Sequence, residues 1–147
     1  MTLPASFPLS MSQVASELGT TLPISLNHIW ILALAQKSGL PVSMSDLLGK
    51  TGRFDGNVFV NASGIGSFGS APFFGAQLNR LTVSFSTVDV STITAPPNFT
   101  GSIRIRNNTT GVSTILTNLG SGVWENASSP ANLVRANQTD NFTLTPA

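Results

Sequence analysis

The sequence predicts a mainly β protein: a small antiparallel β-sandwich preceded by a short N-terminal module of two to three capped helices. Three observations predict this. Before Gly52 one phrase (Pro, apolar, Ser, apolar, polar, polar, apolar) is written three times, as P-L-S-M-S-Q-V, P-I-S-L-N-H-I and P-V-S-M-S-D-L. After Gly52 the apolar pattern changes to a period of two, with β-branched and aromatic residues alternating with polar ones. Clusters of Pro, Gly, Asn and Ser then punctuate the chain at short intervals. The expected division is a helical attachment segment over 1–52 and a sandwich domain over 53–147.

The threefold phrase is a helix-start device. Ser10, Ser25 and Ser43 stand where an N-cap hydroxyl accepts from a free backbone N–H of the first turn. Three residues later come Gln13, His28 and Asp46, the position whose side chain reaches back to the cap in a capping box. Leu9, Ile24 and Val42 precede the caps, and Val14, Ile29 and Leu47 follow at the spacing of a hydrophobic staple. Gly19, Gly39 and Gly49 are the expected left-handed stops. Helices are therefore predicted over Met11–Leu18, Leu26–Ser38 and, as a short turn, Met44–Leu48. The first and third are too short to be stable alone in water. The second is apolar nearly all round from Ile29 to Ala35, so it needs cover on several sides. His28, the single histidine, has no carboxylate or cysteine companion in sequence and suits capping or packing better than catalysis.

The predicted strands are 57–62, 78–87, 101–106, 112–117, 123–125 and 141–145. In the second, Leu81, Val83 and Phe85 fall on one face and Thr82, Ser84 and Ser86 on the other, the pattern of a half-buried antiparallel strand. Turn signals lie at Pro96-Pro97-Asn98, Asn107 to Gly111, Gly120-Ser-Gly122 and Ser129-Pro130. Gly64-Ile-Gly-Ser-Phe-Gly-Ser-Ala-Pro-Phe-Phe-Gly75 has two readings. It is a crossover whose phenylalanines tuck under the sandwich, or a contact loop offering Phe68, Phe73 and Phe74 to a partner. Trp124 is expected in the sandwich core, and Trp30 in the core or at a subunit interface. The candidate partner interface is accordingly Ile29, Trp30, Ile31, Leu34, Phe68, Phe73 and Phe74.

Composition narrows the function classes. Charged residues make up 9% of the 147, and the formal net charge is +1. A surface of hydroxyls and amides loses little on desolvation, which suits packing against neighbours or further copies. No basic stripe is present for nucleic acid. Arg104 and Arg106 alternate on one strand face, as a solvated face or an intersubunit ion-pair site would. With no cysteine, neither disulfides nor thiolate metal sites are available. The first residues lack the basic and apolar regions of a secretory leader, and the longest apolar run is too short to span a bilayer. The expectation is a chain made in a cytoplasm, without membrane insertion. Asn61, Asn98, Asn107, Asn126, Asn137 and Asn141 head N-x-S/T triplets, with another at Asn108, as chance provides in so Asn- and Thr-rich a sequence. Carboxylates are scattered without paired spacing, and the G-x-G-x-x-G at Gly64 leads into no helix, so it fails as a dinucleotide loop. No catalytic residue, cofactor or metal site is expected.

Leu9 to Gly19, an apolar-Ser-apolar-Ser-Gln-Val-x-x-Glu-Leu-Gly phrase, and Val42-Ser-Met-Ser-Asp-Leu-Leu-Gly-Lys-Thr51 resemble segments of small virion proteins of tailed bacteriophages. The second phrase departs from the usual form in opening with Val42 rather than Ile. The resemblance covers about the first third of the chain, from Ser6 to Gly52. It implies a non-enzymatic virion protein, tail-associated as a tail-tip, baseplate or fibre component, made in the bacterial host cytoplasm. It also implies other virion proteins as partners and several copies around a symmetry axis. Two alternatives stand beside it: a capsid decoration or cement subunit, and a carbohydrate-binding module meeting host surface glycan through exposed Trp124 and the Phe73-Phe74 loop.

Overall fold

The computed structural model describes residues 2–93 and 99–147. The turn signal at Pro96-Pro97-Asn98 and the triplet at Asn98 lie outside the described residues. Two short helices, α1 (Met11–Glu17) and α2 (Ile29–Leu34), and a 3-10 turn (Met44–Leu47) precede nine strands. These are β1 (Phe54–Val60), β2 (Ile65–Ser67), β3 (Pro72–Phe73), β4 (Ala76–Ser84), β5 (Thr87–Thr92), β6 (Ile103–Asn107), β7 (Ser113–Gly120), β8 (Val123–Asn126) and β9 (Gln138–Pro146).

The mainly β class stands, but the sandwich is corrected to a barrel. Strands run β2-β1-β9-β6-β7-β8-β5-β4, every neighbouring pair antiparallel, and β2 pairs again with β4 to close the ring. β3 is an extra strand on β4. Alternation reports that one face of each strand is buried, and it cannot tell two facing sheets from one sheet closed on itself. Closure is decided by β2, three residues in the glycine-rich stretch. There Gly66 pairs with both Val60 and Leu81, so one short strand joins β1 to β4. A Cβ on Gly66 would stand 2.7 Å from Val58 Cγ1, and one on Gly64 (φ +78°) 2.3 Å from the Val83 carbonyl oxygen. Glycine is required at both places.

A second correction concerns the strand expected over 78–87. Leu81 is buried as expected, but the strand ends at Ser84 and the chain turns at Phe85 and Ser86 into β5. Phe85 has φ 54° and is fully exposed, so it does not share the face of Leu81.

The three helix starts fare differently. At α1, Ser10 Oγ accepts from the Gln13 N–H at 3.2 Å, and Gln13 Oε1 accepts from the Ser10 N–H at 2.7 Å. Gly19 (φ 67°) ends the helix, as expected. Ahead of the 3-10 turn, Asp46 Oδ2 accepts from the Ser43 N–H at 2.8 Å and from its hydroxyl at 3.1 Å. The middle copy is corrected. Ser25 opens a turn in which the His28 N–H donates to its carbonyl at 3.0 Å. The cap of α2 is His28, whose Nδ1 accepts from the Trp30 N–H at 3.1 Å. Ser25 Oγ accepts from the Asn27 N–H at 3.5 Å and His28 Nδ1 from the Trp30 N–H, so local side-chain bonds hold the chain before the helix can start and cost the predicted helix its first turn. Its end comes early as well. Gln36 takes the left-handed conformation (φ 59°) and the Lys37 N–H reaches back to the Leu32 carbonyl, so Gly39 is not the stop.

The helical segment has no core of its own. Leu3, Val14, Leu18, Ile31, Leu34, Val42 and Leu47 join one apolar cluster with barrel residues that include Val58, Leu81, Val90, Ile105, Leu116 and Phe142. The segment sits where β1 begins. Leu18, Leu34 and Phe74 converge within 3.2 Å of the point a Gly52 Cβ would occupy. Buried Glu17 ties the junction, accepting from the Gly52 N–H at 2.8 Å and the Arg53 N–H at 3.1 Å. Strand and helix residues therefore fill one volume. Leu18→Ala should cost about 2–5 kcal/mol. In a Trp30→Phe background, Trp124 fluorescence and far-ultraviolet dichroism should both lose the same amount in one coincident thermal transition. A barrel signal unmoved by the change would mean that the two parts are independent.

Candidate docking surface

The barrel has two ends, filled by different means. At the end where β1 starts and β9 stops, the helices and an aromatic group close the interior. Phe74 stacks on Phe99 at 4.3 Å between centroids, while Phe73 meets Phe74 edge-on at 4.9 Å and Trp124 at 6.2 Å. Trp124 spends its N–H on the Gly101 carbonyl at 3.1 Å.

The opposite end is closed by the segment between β8 and β9, whose Leu133 is fully buried. Asn107, also fully buried, donates to the Leu133 carbonyl at 2.9 Å and to Asp140 Oδ2 at 2.7 Å, and its own oxygen accepts from the Thr109 and Thr110 N–H groups. Arg135 completes the network on both oxygens of Asp140. Every side-chain polar group of Asn107 is thereby used, and the triplet it heads has no free amide to modify.

The predicted interface residues divide accordingly. Ile31, Leu34, Phe68, Phe73 and Phe74 are buried within their own chain and are corrected to core. Phe68 packs edge-on against Phe54 at 4.9 Å. An apolar helix inside a closed β chain finds its cover from the same polypeptide, which the sequence left open. Ile29 does face outward, 62% exposed, and Trp30 is half-buried, its ring edge-on to His28 at 5.1 Å. The glycan platform is also corrected: Trp124, Phe73 and Phe74 are each 0% exposed, and no sugar can stack on them.

What the sequence reading missed lies one residue upstream of each repeated phrase. The steps Phe7-Pro8, Leu22-Pro23 and Leu40-Pro41 are all cis, and Phe7, Leu22 and Leu40 are each more than half exposed. The signal was in the sequence, since an apolar residue precedes the proline in all three copies, but the aligned phrase began at the proline. A groove also opens beside the second helix. Ile29, Trp30, Phe99, Thr100 and Gly101 line one stretch of it. Phe99 and Thr100 continue into a second stretch with 118–122 at the β7–β8 turn, where Leu119 is exposed. The N-terminal segment thus exposes Phe7, Leu22 and Leu40, and Ile29 and Trp30 line a groove with Phe99.

No group of three potential metal-ligating His, Cys, Asp or Glu side chains forms among the described residues, and none of their helices is long and apolar enough to cross a membrane. Comparison with protein-family models, curated proteins and solved structures finds no match to this chain.

Two buried carboxyls give the fold opposite pH dependences. The Arg135 hydrogen bonds hold the Asp140 carboxyl below its usual range, against the effect of burial and with help from Asn107. Its contribution is complete above the ordinary carboxylate value of about 3.9 and lost as pH falls through the lower folded value. Burial raises Glu17 instead, outweighing the Gly52 N–H, and its Oε2 is buried without a protein partner. Glu17 therefore contributes at low pH and loses that contribution as pH rises through its raised folded value. Asp140→Asn should cost about 2 kcal/mol at neutral pH. It should also flatten the acid limb of stability below about pH 4, measured by urea unfolding across pH. An acid limb as steep as in the wild type would refute the assignment.

Proposed function

We propose that this chain is a non-enzymatic structural protein of a tailed-bacteriophage virion, a tail-tip, baseplate or fibre component that docks on neighbouring virion proteins through its helical end. The observation that carries the reading is the threefold exposure of an apolar side chain before a proline, at Phe7, Leu22 and Leu40. These lie in the same segment as the two phrases that resemble phage virion proteins. An apolar side chain exposed to water gains free energy when another surface covers it. The same step built three times in one segment supports a docking role better than a chance scatter of exposed residues does.

The barrel behind that end supports the reading in a second way. Its closed ring leaves no long strand edge to template aggregation, and its sparsely charged outer face desolvates cheaply in a crowded particle.

Covering the three half-exposed side chains is worth roughly 1 kcal/mol apiece. The triple variant Phe7→Ser, Leu22→Ser, Leu40→Ser should keep the wild-type dichroism spectrum and lose about 100-fold in affinity for the particle. Incorporation into assembled phage, located by immunogold labelling, checks this. The tail reading expects label on isolated tails. Label on tailless heads alone would reassign the protein to the shell, and undiminished incorporation of the triple variant would remove the helical end as the docking surface.

A further inference from the structure

The seam that closes the barrel also shapes its outer wall. Where β1, β2 and β4 meet, a groove of about 480 Å³ is lined by Phe59, Asn61, Ile65, Ser67, Asn79 and Arg80. The registers set these side chains side by side. Ser67 on β2 pairs with Arg80 on β4, and Phe59 on β1 stands one step from the Val60–Gly66 pair, on the other side of Ser67. Asn61 and Ile65 lie one step the other way, where the Asn61 N–H donates to the Ile65 carbonyl at 3.0 Å. A bulge in β4 between Leu78 and Arg80 brings two successive residues, Asn79 and Arg80, to the same groove. Bulges re-aim side chains in this way.

The polar groups of the groove are donors. Asn61 Oδ1 accepts from the Ser63 N–H at 2.9 Å and the Ile65 N–H at 3.1 Å, which fixes the side chain and leaves its amide hydrogens without an acceptor among the described residues. Ser67 Oγ accepts from the Gly69 N–H at 3.1 Å, so its hydroxyl hydrogen is left to give. Asparagine and serine ordinarily offer both donor and acceptor, but here the oxygens are taken. Arg80 is exposed and forms no ion pair among the described residues, with Asp89 only diagonally across from it on β5. Beside these donors Phe59 and Ile65 are both exposed.

The matching ligand is rich in acceptors, negatively charged, and has an apolar face. An acidic peptide fits poorly, because its backbone N–H groups need acceptors and the Asn61 and Ser67 oxygens are already used. A pyranose bearing a carboxylate fits well. Its C–H face lies on an aromatic ring, its ring and hydroxyl oxygens accept, and its carboxylate takes the two-pronged bond of a guanidinium. Phe59 and Arg80 flank β2, about 10 Å apart at the backbone, a gap that one sugar ring and the length of the arginine side chain fill. We propose that this groove binds an acidic sugar of a surface glycan, with Arg80 on the carboxylate, Asn61 and Ser67 on sugar oxygens and Phe59 under the ring. Unlike Trp124, Phe73 and Phe74, Phe59 is open to such a ligand. The site uses no residue of the helical end and stands independently of the virion reading.

Methyl glucuronide titrated into the isotope-labelled full-length chain, followed by amide shifts in NMR spectra, tests this. The Phe59, Ser67 and Arg80 amides should shift together and saturate in the millimolar range, as suits a single sugar ring. Methyl glucoside, the same ring without the charge, should bind at least about ten-fold more weakly, and added salt should weaken the glucuronide. Arg80→Gln and Phe59→Ser should each lose about ten-fold in affinity and keep the wild-type dichroism spectrum, since both side chains lie on the outer wall. Glutamate acetylated and amidated at its ends, standing for an acidic peptide, should not compete. Absence of a saturable shift, equal binding of the glucoside, undiminished binding by either variant, or competition by the glutamate derivative would each overturn the proposal.

Discussion

The barrel depends on a seam three residues long. Eight strands form a ring only if the last gap, between β1 and β4, is bridged, and β2 is the strand that bridges it. Space at the seam is set by Val58, Phe59 and Val83, which crowd the backbone of β2 so closely that a side chain at Gly64 or Gly66 would enter occupied volume. The Val83 N–H donates to the Gly64 carbonyl at 2.8 Å and the Phe68 N–H to that of Asn79 at 3.0 Å, carrying the pairing past both ends of the short strand. Glycine here does what it does in a nucleotide loop, allowing close backbone approach, but the backbone approached is the chain's own. Closure in turn removes the two edges an open sheet would expose.

Once the ring is closed its interior must be filled and its ends stopped. Strand residues fill the middle, and the two ends call for opposite solutions. Where the chain enters the barrel, α1, α2 and the aromatic group exclude water with apolar volume. At the far end one buried leucine is held by a polar network in which every Asn107 group and both Asp140 oxygens are satisfied. Such a network fixes a geometry more than it adds stability, because the carboxylate must first be taken from water. The apolar end is the better founded for docking, since what covers it from inside also positions what projects from it. Leu34 is buried and Ile29, on the same short helix, is exposed.

Much of this was legible in the sequence, and what was not has identifiable causes. The change of period at Gly52 located the start of the strands, and β1 begins at Phe54. The caps at Ser10 and Ser43 followed from local chemistry, which a sequence records well. Ser25 failed because His28 offered a competing cap within the same turn, and local signals alone could not rank the two. β2 and β3 were invisible because strands of three and two residues carry no period, and their pairing is made by residues far along the chain. Burial was the larger gap. Phe68, Phe73 and Phe74 in a glycine-rich loop could be read as core or as contact, and the closed ring takes all three inside. Phe85 shows the converse, an apolar residue in perfect alternation that a tight turn ejects into water.

The low charge content first suggested assembly because there was little charge to desolvate. The placement of that charge makes a sharper argument. Three ion pairs and one carboxyl on backbone amides take up more than half of the charged side chains, and those partnerships lie at the helical end, beside the Asn-Thr ladder of β1 and β9, and at the far-end network. Outside those partnerships stand Lys50, Arg80, Arg104, Arg106, Asp89 and Glu125, for which no ion pair forms among the described residues. Two acids and two arginines occupy neighbouring strands of one wall, separated by a single strand that carries an exposed isoleucine. Setting Asp89 directly opposite Glu125 is a local electrostatic cost within the chain. Arg80, diagonally across from Asp89 on β4, is the cation placed to lessen that cost, and Thr82 hydrogen-bonds the Asp89 carboxyl from the position directly opposite it.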